Sequence, residues 1–286
     1  MTFFSLVVDG VAYGMLLFLL SAGLTVTLGV MRVINLAHSS FAMIGGYFAL
    51  GALRLGGMPF WAAVLLGVAG TIAVSLLLER TLYRWVYKTH ALGQLLMTVG
   101  LAFILTAVAK NAAGASLQTL PIPAGLSGNW AVGSVSVSVY RAFLVVVSLA
   151  VGFALWLGFE KTTFGAKLRA AVDDPAMARC IGIDVPAVFA VTFAIGCGLA
   201  ALGGALGSPI LPLEPYYGLK YLVLVLIVVA VGGLGSLRGS LFAALLLGLV
   251  DTLGRYYIPA LGAVIIYLAV LGILLVRPQG LVGRSP

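Results

Sequence analysis

Charge is what this sequence has least of. Only 8% of its 286 residues are Asp, Glu, Lys or Arg, against about 25% in soluble chains. Sixteen Lys and Arg with eight Asp and Glu cannot wet the surface of a globular fold of this length. That excludes a soluble enzyme and a disordered scaffold. The net charge of +8 does not indicate nucleic acid, because positive charge beside apolar spans marks cytoplasmic membrane loops. Two cysteines, Cys180 and Cys197, make neither a disulfide framework nor a cysteine zinc cluster, and both read as incidental packing residues. Catalytic devices are missing as well. There is no His-Glu-x-x-His and no Gly-x-Ser-x-Gly. No second His, Cys or carboxylate stands at ligand spacing from His38, and His90 has no acidic orienter. Neither metal nor cofactor is expected. No Gly-x4-Gly-Lys-Ser/Thr phosphate loop exists, so any coupling to ATP must come from a partner.

What the chain has instead is apolar length. Hydrophobic residues make up 62% and the mean hydropathy is +1.19, the signature of a polytopic membrane protein. A crossing needs about 20 mostly apolar residues. Uncharged runs lie at Gly10–Met31, Val33–Leu53, Leu55–Leu78, Ala91–Ala109, Ala142–Phe159 and Val185–Ile210. Two shorter pieces follow, Tyr221–Leu237 and Gly239–Gly254, and then a last run, Tyr256–Val276. The expectation is an all-α bundle of eight or nine spans in one domain, 1–286, with the short pieces as half-helices or a re-entrant pair. The stretch from Lys110 to Arg141 carries too many breakers to be helical throughout.

Nine crossings place Arg80, Arg84 and Lys88, then Lys161, Lys167, Arg169 and Arg179, then Arg277 and Arg284 on one side. That side is expected to be cytoplasmic. The first 31 residues hold no Lys or Arg. The N-terminus is therefore expected outside and the C-terminus inside, without the basic region of a cleaved signal peptide.

Thirty-seven glycines stand where soluble helices avoid them. Gly196, Ala200, Gly204 and Ser208 recur every four residues, a small-residue stripe that lets another helix approach closely. Polar groups interrupt two apolar segments, Gly29–Phe41 and Gly232–Phe242. Such breaks are tolerated only inside protein or beside a wet cavity. A pair of them in two halves points to a transport path with an internal repeat, a hypothesis supported by a slight echo between Ser40-Phe41-Ala42 and Ser240-Leu241-Phe242-Ala243. If the first segment is helical, Asn35, His38 and Ser39 share a face and suit a small polar solute. The alternative is that they hydrogen-bond neighbouring helices. The longest charged stretch, Glu160–Asp184, reads as two short helices with a tight corner. Gly165 breaks the incoming helix, Asp174 caps a second one with Pro175 at its first position, and Gly182 ends it. A rigid knob of this kind can dock into a partner; an ordinary surface loop is the plainer reading.

These residues resemble the permease subunits of branched-chain amino acid ABC importers, the high-affinity type with two different permeases. The resemblance covers nearly the whole chain. It is carried by Val33-Ile-Asn-Leu-Ala-His38 with Gly45-Gly-Tyr47, by the Gly165…Arg169-Ala-Ala…Asp174…Ala178…Gly182-Ile loop, and by Gly232-Gly-Leu-Gly-Ser236. It implies a bacterial inner-membrane subunit that works with a second permease, cytoplasmic ATP-binding subunits and a periplasmic or surface solute-binding protein, surrounded by membrane lipid. Carried over, Gly165, Arg169, Asp174, Pro175, Ala178 and Gly182 would couple to the ATPases. Asn35, His38 and Ser39 would line the path, facing Gly232, Gly233, Gly235 and Ser236. The chain departs from the pattern at Ser39, Ser40 and Arg238, where glycine after the histidine and proline at the last position are usual. Those departures bear on the cargo, since related permeases carry urea, short amides or other amino acids.

The rivals are an ion- or proton-coupled transporter, an intramembrane enzyme and a passive channel. A coupled transporter usually keeps a titratable acid in the membrane interior. Here Asp9, Glu79, Glu160, Asp173, Asp174, Asp184 and Glu214 lie at span edges or in loops, and Asp251 lies near the end of its span.

Overall fold

A computed structural model describes residues 3–29, 31, 35–87, 89–132, 135–262 and 264–282. Val33, Ile34, Lys88 and Arg284, used in the sequence reading, lie outside the described residues. Among those described, the regular structure is helical apart from one small hairpin and an isolated bridge between Gln118 and Leu213. The elements are α1 (Phe3–Gly29), α2 (His38–Gly56), α3 (Phe60–Leu78), α4 (Arg84–Val86) and α5 (Ala91–Ala113). The strands β1 (Asn129–Val132) and β2 (Val135–Ser138) follow, then α6 (Val139–Glu160), α7 (Thr163–Asp173) and α8 (Pro175–Cys180). The chain ends with α9 (Val185–Gly207), α10 (Tyr217–Gly232), α11 (Leu237–Tyr257) and α12 (Ile265–Val276). A π-helical turn, Glu79–Tyr83, carries α3 into α4. Among the described residues, six helices are long and apolar enough to cross a membrane: α1, α3 with its π turn, α5, α6, α9 and α11.

The centre of the bundle is α1. Every residue from Gly14 to Thr27 is buried, as expected of a helix apolar on all sides. Small residues set its contacts. A Cβ at Gly23 would strike the Gly196 carbonyl of α9, and Gly248 of α11 lies against Gly14. The small-residue stripe of α9 serves two partners rather than one. Gly196 faces Gly23 and Thr27 of α1, while Gly204 meets the Ala42 carbonyl of α2. Dispersion between closely approached backbones replaces the missing hydrophobic drive between helices in lipid. The outer helices behave differently. On α5 only Thr98, Leu101, Ala102, Thr106 and Ala109 are buried, one stripe at helical spacing. Leu92, Leu96, Phe103, Ile104 and Val108 point outward, the side-chain set a hydrocarbon surround requires.

The stretch from Lys110 to Arg141 closes one end of the bundle. Gln118 and Leu213 exchange backbone hydrogen bonds, 2.9 and 2.7 Å. Strands β1 and β2 pair antiparallel, Asn129 opposite Ser138, and the Tyr140 hydroxyl donates to the Leu206 carbonyl.

Several boundaries differ from the sequence reading. The two pieces expected to be short are α10 and α11, and α11 with 21 residues is a full crossing length. The last run is shorter than expected, because Pro259 starts a 3-10 turn, Pro259–Leu261, before the 12 residues of α12. Cys180 is exposed and so is not a packing residue, whereas Cys197 is buried.

Candidate functional site

The first break separates α1 from α2. Asn35 is not on α2, which begins at His38, so the shared helical face of Asn35, His38 and Ser39 does not form. All three are nevertheless enclosed, at 2% exposure or less. The Asn35 Oδ1 accepts the Ala37 amide at 3.0 Å and the Tyr83 hydroxyl at 2.8 Å. The His38 Nε2 lies 3.1 Å from the Leu20 carbonyl. Leu20 stands nine residues before the end of α1, roughly 13 Å back along it at ~1.5 Å per residue. The first turn of α2 therefore lies against the flank of α1. The π turn matters here, because its last residue, Tyr83, supplies the hydroxyl that holds Asn35. Sequence reasoning missed both Tyr83 and Leu20. Nothing local marks a partner 48 or 18 residues away, and the sequence signal is only a tyrosine beside a charged loop. Replacing Tyr83 with Phe removes one buried hydrogen bond and leaves Asn35 less satisfied. The expected cost is about 1–2 kcal/mol, read as a lower thermal midpoint of the detergent-purified protein.

The second break is built by glycine. Gly233 and Gly235 have φ of 94° and 81°, a region closed to most side chains. The Ser236 side chain then caps α11 by accepting the Gly239 amide at 3.0 Å. A Cβ at Gly239 would strike the Gly232 carbonyl, so α10 and α11 leave the turn back to back. The two breaks meet, but not as expected. Gly29, the last residue of α1, lies against the backbone of Gly235. The hydrogen bonds of Asn35 and His38 go to Tyr83, Ala37 and Leu20 rather than to the Gly232–Ser236 turn. One step inward, the Thr25 and Ser240 hydroxyls pair at 2.8 Å across 215 residues of sequence.

The knob also differs from expectation at one point. Gly165 does not break the incoming helix. Helix α6 ends at Glu160, Thr162 caps α7 by accepting the Gly165 amide, and Gly165 sits inside α7. Its lack of a side chain allows contact with the Phe159 carbonyl, which a Cβ would strike. One turn on, the Arg169 Nη1 donates to that same carbonyl at 2.7 Å, satisfying an acceptor that the end of α6 leaves open. The corner between α7 and α8 follows the sequence reading. The Asp174 Oδ1 accepts the Ala176 and Met177 amides at 3.0 and 2.9 Å, with Pro175 at the first position. Gly182 ends α8 with φ of 83°. Leu168, Ala171 and Ala178 form a small core with Met31, Val185 and Val188. The knob is thus anchored to the bundle.

Between knob and second break lies a groove of about 770 Å³. Gly165, Arg169 and Asp173 form one wall, and Gly235, Ser236 and Arg238 the other. Arg238 stands 3.9 Å from Glu160 with its guanidinium 5.8 Å from the Trp156 ring, so it belongs to the knob end of the bundle. The groove is thus lined by Gly165 and Arg169 of one expected set and by Gly235 and Ser236 of the other, while Asn35, His38 and Ser39 are buried elsewhere. Among the described residues no group of three His, Cys, Asp or Glu is placed to hold a metal.

The branched-chain amino acid transport system / permease component family model matches residues 6–277. The chain is 29% identical to the high-affinity branched-chain amino acid transport system permease protein LivH of Escherichia coli (strain K12), over 96% of this chain and 94% of that protein. It is 30% identical to the corresponding permease protein BraD of Pseudomonas aeruginosa, over 97% and 94%. A probable branched-chain amino acid transport permease protein of Methanocaldococcus jannaschii is 29% identical, over 96% and 90%.

Proposed function

This chain belongs to the branched-chain amino acid transport system / permease component family, and from that premise we propose how it works. It is a membrane permease subunit of an ATP-binding-cassette importer, carrying branched-chain or related amino acids into the cytoplasm. The observation that carries the reading is the shared groove. A force on the α7–α8 knob acts through Arg169 and Gly165 on the end of α6, and across the groove on the Gly235–Ser236 turn. ATP is used by separate cytoplasmic subunits that receive Met177 and Ile181 at the knob tip. Gly232, Gly233, Gly235 and Ser236 form the inner mouth of the path. Asn35, His38 and Ser39 hold its wall from behind by fixing the α1–α2 break. The chain crosses the inner membrane nine times through α1, α2, α3, α5, α6, α9, α10, α11 and α12, with its N-terminus outside and its C-terminus in the cytoplasm. A second, different permease completes the path, and a periplasmic or surface solute-binding protein delivers the cargo at the hairpin end.

The test is reconstitution of the complete importer in proteoliposomes with labelled leucine. Uptake is expected only with enclosed ATP and the binding protein, and is expected to persist when an uncoupler removes the proton gradient. Loss of uptake on uncoupling at constant ATP would replace this reading with a proton-coupled transporter. Flux without ATP would replace it with a channel.

A further inference from the structure

At the end of the bundle opposite the knob is a pocket of about 410 Å³, within the size range of small-molecule sites. Four of its lining residues are charged, and they form two pairs. Arg141 of α6 pairs with Asp9 of α1. The Arg255 Nε donates to the Asp251 Oδ2 at 2.8 Å within α11. The pairs are not equivalent. Asp251 is 4% exposed, and its Oδ1 is buried without a hydrogen-bond partner. A buried carboxylate oxygen left unpaired is costly and calls for a donor.

The donor's chemistry follows from the charges. The site is already neutral, so a bare cation would leave a net positive charge beside Arg141 and Arg255. A zwitterion adds none. We infer that this pocket is a socket for a primary ammonium group carried on the same small head as an acid group. The ammonium donates to the Asp251 Oδ1, and the acid group takes guanidinium N–H donors that the two aspartates leave over. Leu6 and Ile210 supply an apolar wall for whatever is attached. Two sources have this chemistry, a free amino acid and the headgroup of phosphatidylethanolamine. The amino-acid source rests on the import reading above; the socket itself does not.

The experiment uses the assembled importer in phosphatidylcholine nanodiscs, with Cys180→Ser removing the exposed thiol and Ile210→Cys as reporter. Leucine is expected to slow alkylation of the reporter several-fold. 4-Methylpentanoate, which lacks the ammonium, and isopentylamine, which lacks the carboxylate, should not. Asp251→Asn keeps the side-chain shape, and Arg141→Gln tests the acid-binding side. Each should raise the leucine concentration for half-protection about tenfold, the loss of one charge-assisted hydrogen bond. Slowed alkylation in phosphatidylethanolamine nanodiscs without leucine, abolished by Asp251→Asn, would support the socket and name the lipid as its source. Equal rates with leucine, with either analogue and in both lipids would overturn the socket. Leucine uptake by the same preparation scores the import reading separately.

Discussion

Replacing Met177 and Ile181 with Asp is expected to strip the ATP-binding subunits from the permease while the helical bundle stays assembled. Both side chains are apolar and open to solvent, 60% and 67% exposed. Their setting differs from that of the lipid-facing leucines. Met177 stands on the six-residue helix α8 and Ile181 just past its end, between Asp174 and Asp184 in the most charged stretch of the chain, where only a protein partner would cover them. A well-buried anchor of an interface contributes about 2 kcal/mol, roughly thirty-fold in affinity. An unpaired carboxylate pressed into an apolar cleft costs more. Uptake by the double variant should fall to background, and the ATP-binding subunits should no longer co-purify. Because both side chains are exposed and neither belongs to the core of Leu168, Ala171 and Ala178, the thermal midpoint of the permease should not move. Retention of the ATP-binding subunits by the double variant would refute docking through this tip.

The second large effect is expected in the core. Gly204→Val should leave little protein that survives extraction in a monodisperse state. A Cβ there meets the Ala42 carbonyl, and a helix backbone cannot rotate away as a side-chain end can. Overpacking costs about 1–3 kcal/mol where neighbours can adjust; here two helix backbones must separate. Gly100 is the control. A Cβ on it meets nothing within 4 Å, so Gly100→Ala should be neutral or stabilising by about 0.5–1 kcal/mol. Size-exclusion profiles after graded heating would compare the two. Similar profiles would mean that the α2–α9 crossing is looser than the structure shows.

That contrast also explains how much of the fold could be read beforehand. The stripe Gly196, Ala200, Gly204 and Ser208 announced a close crossing, since four-residue spacing is a local property of a helix. Which helices it would meet was not local, and α1 takes one end of the stripe while α2 takes the other. The cap by Asp174 with Pro175, and the stop at Gly182, were legible because each acts within a few residues. Gly165 was misread for the opposite reason. Glycine suggests a break, but here it allows contact with the Phe159 carbonyl inside a continuous helix. Asn35, His38 and Ser39 were expected to share one helical face, but α2 begins only at His38 and leaves Asn35 in the break. Their partners, Tyr83 and the Leu20 carbonyl, are named only by the fold. Likewise, the sequence placed Asp251 near a span end without indicating that one of its oxygens would be left unpaired.

The central position of α1 has a consequence for how the molecule is made. Its glycines and hydroxyls are matched by Gly196, Ser240 and Gly248, none of which has left the ribosome when α1 enters the membrane. The nascent helix must therefore wait in lipid with its contact faces uncovered, through the synthesis of most of the chain. Contacts of such long sequence separation form late. The order of birth is thus nearly the reverse of the order of burial: the first helix inserted is the last to be enclosed, and a chain interrupted before α9 and α11 has no core to fold around.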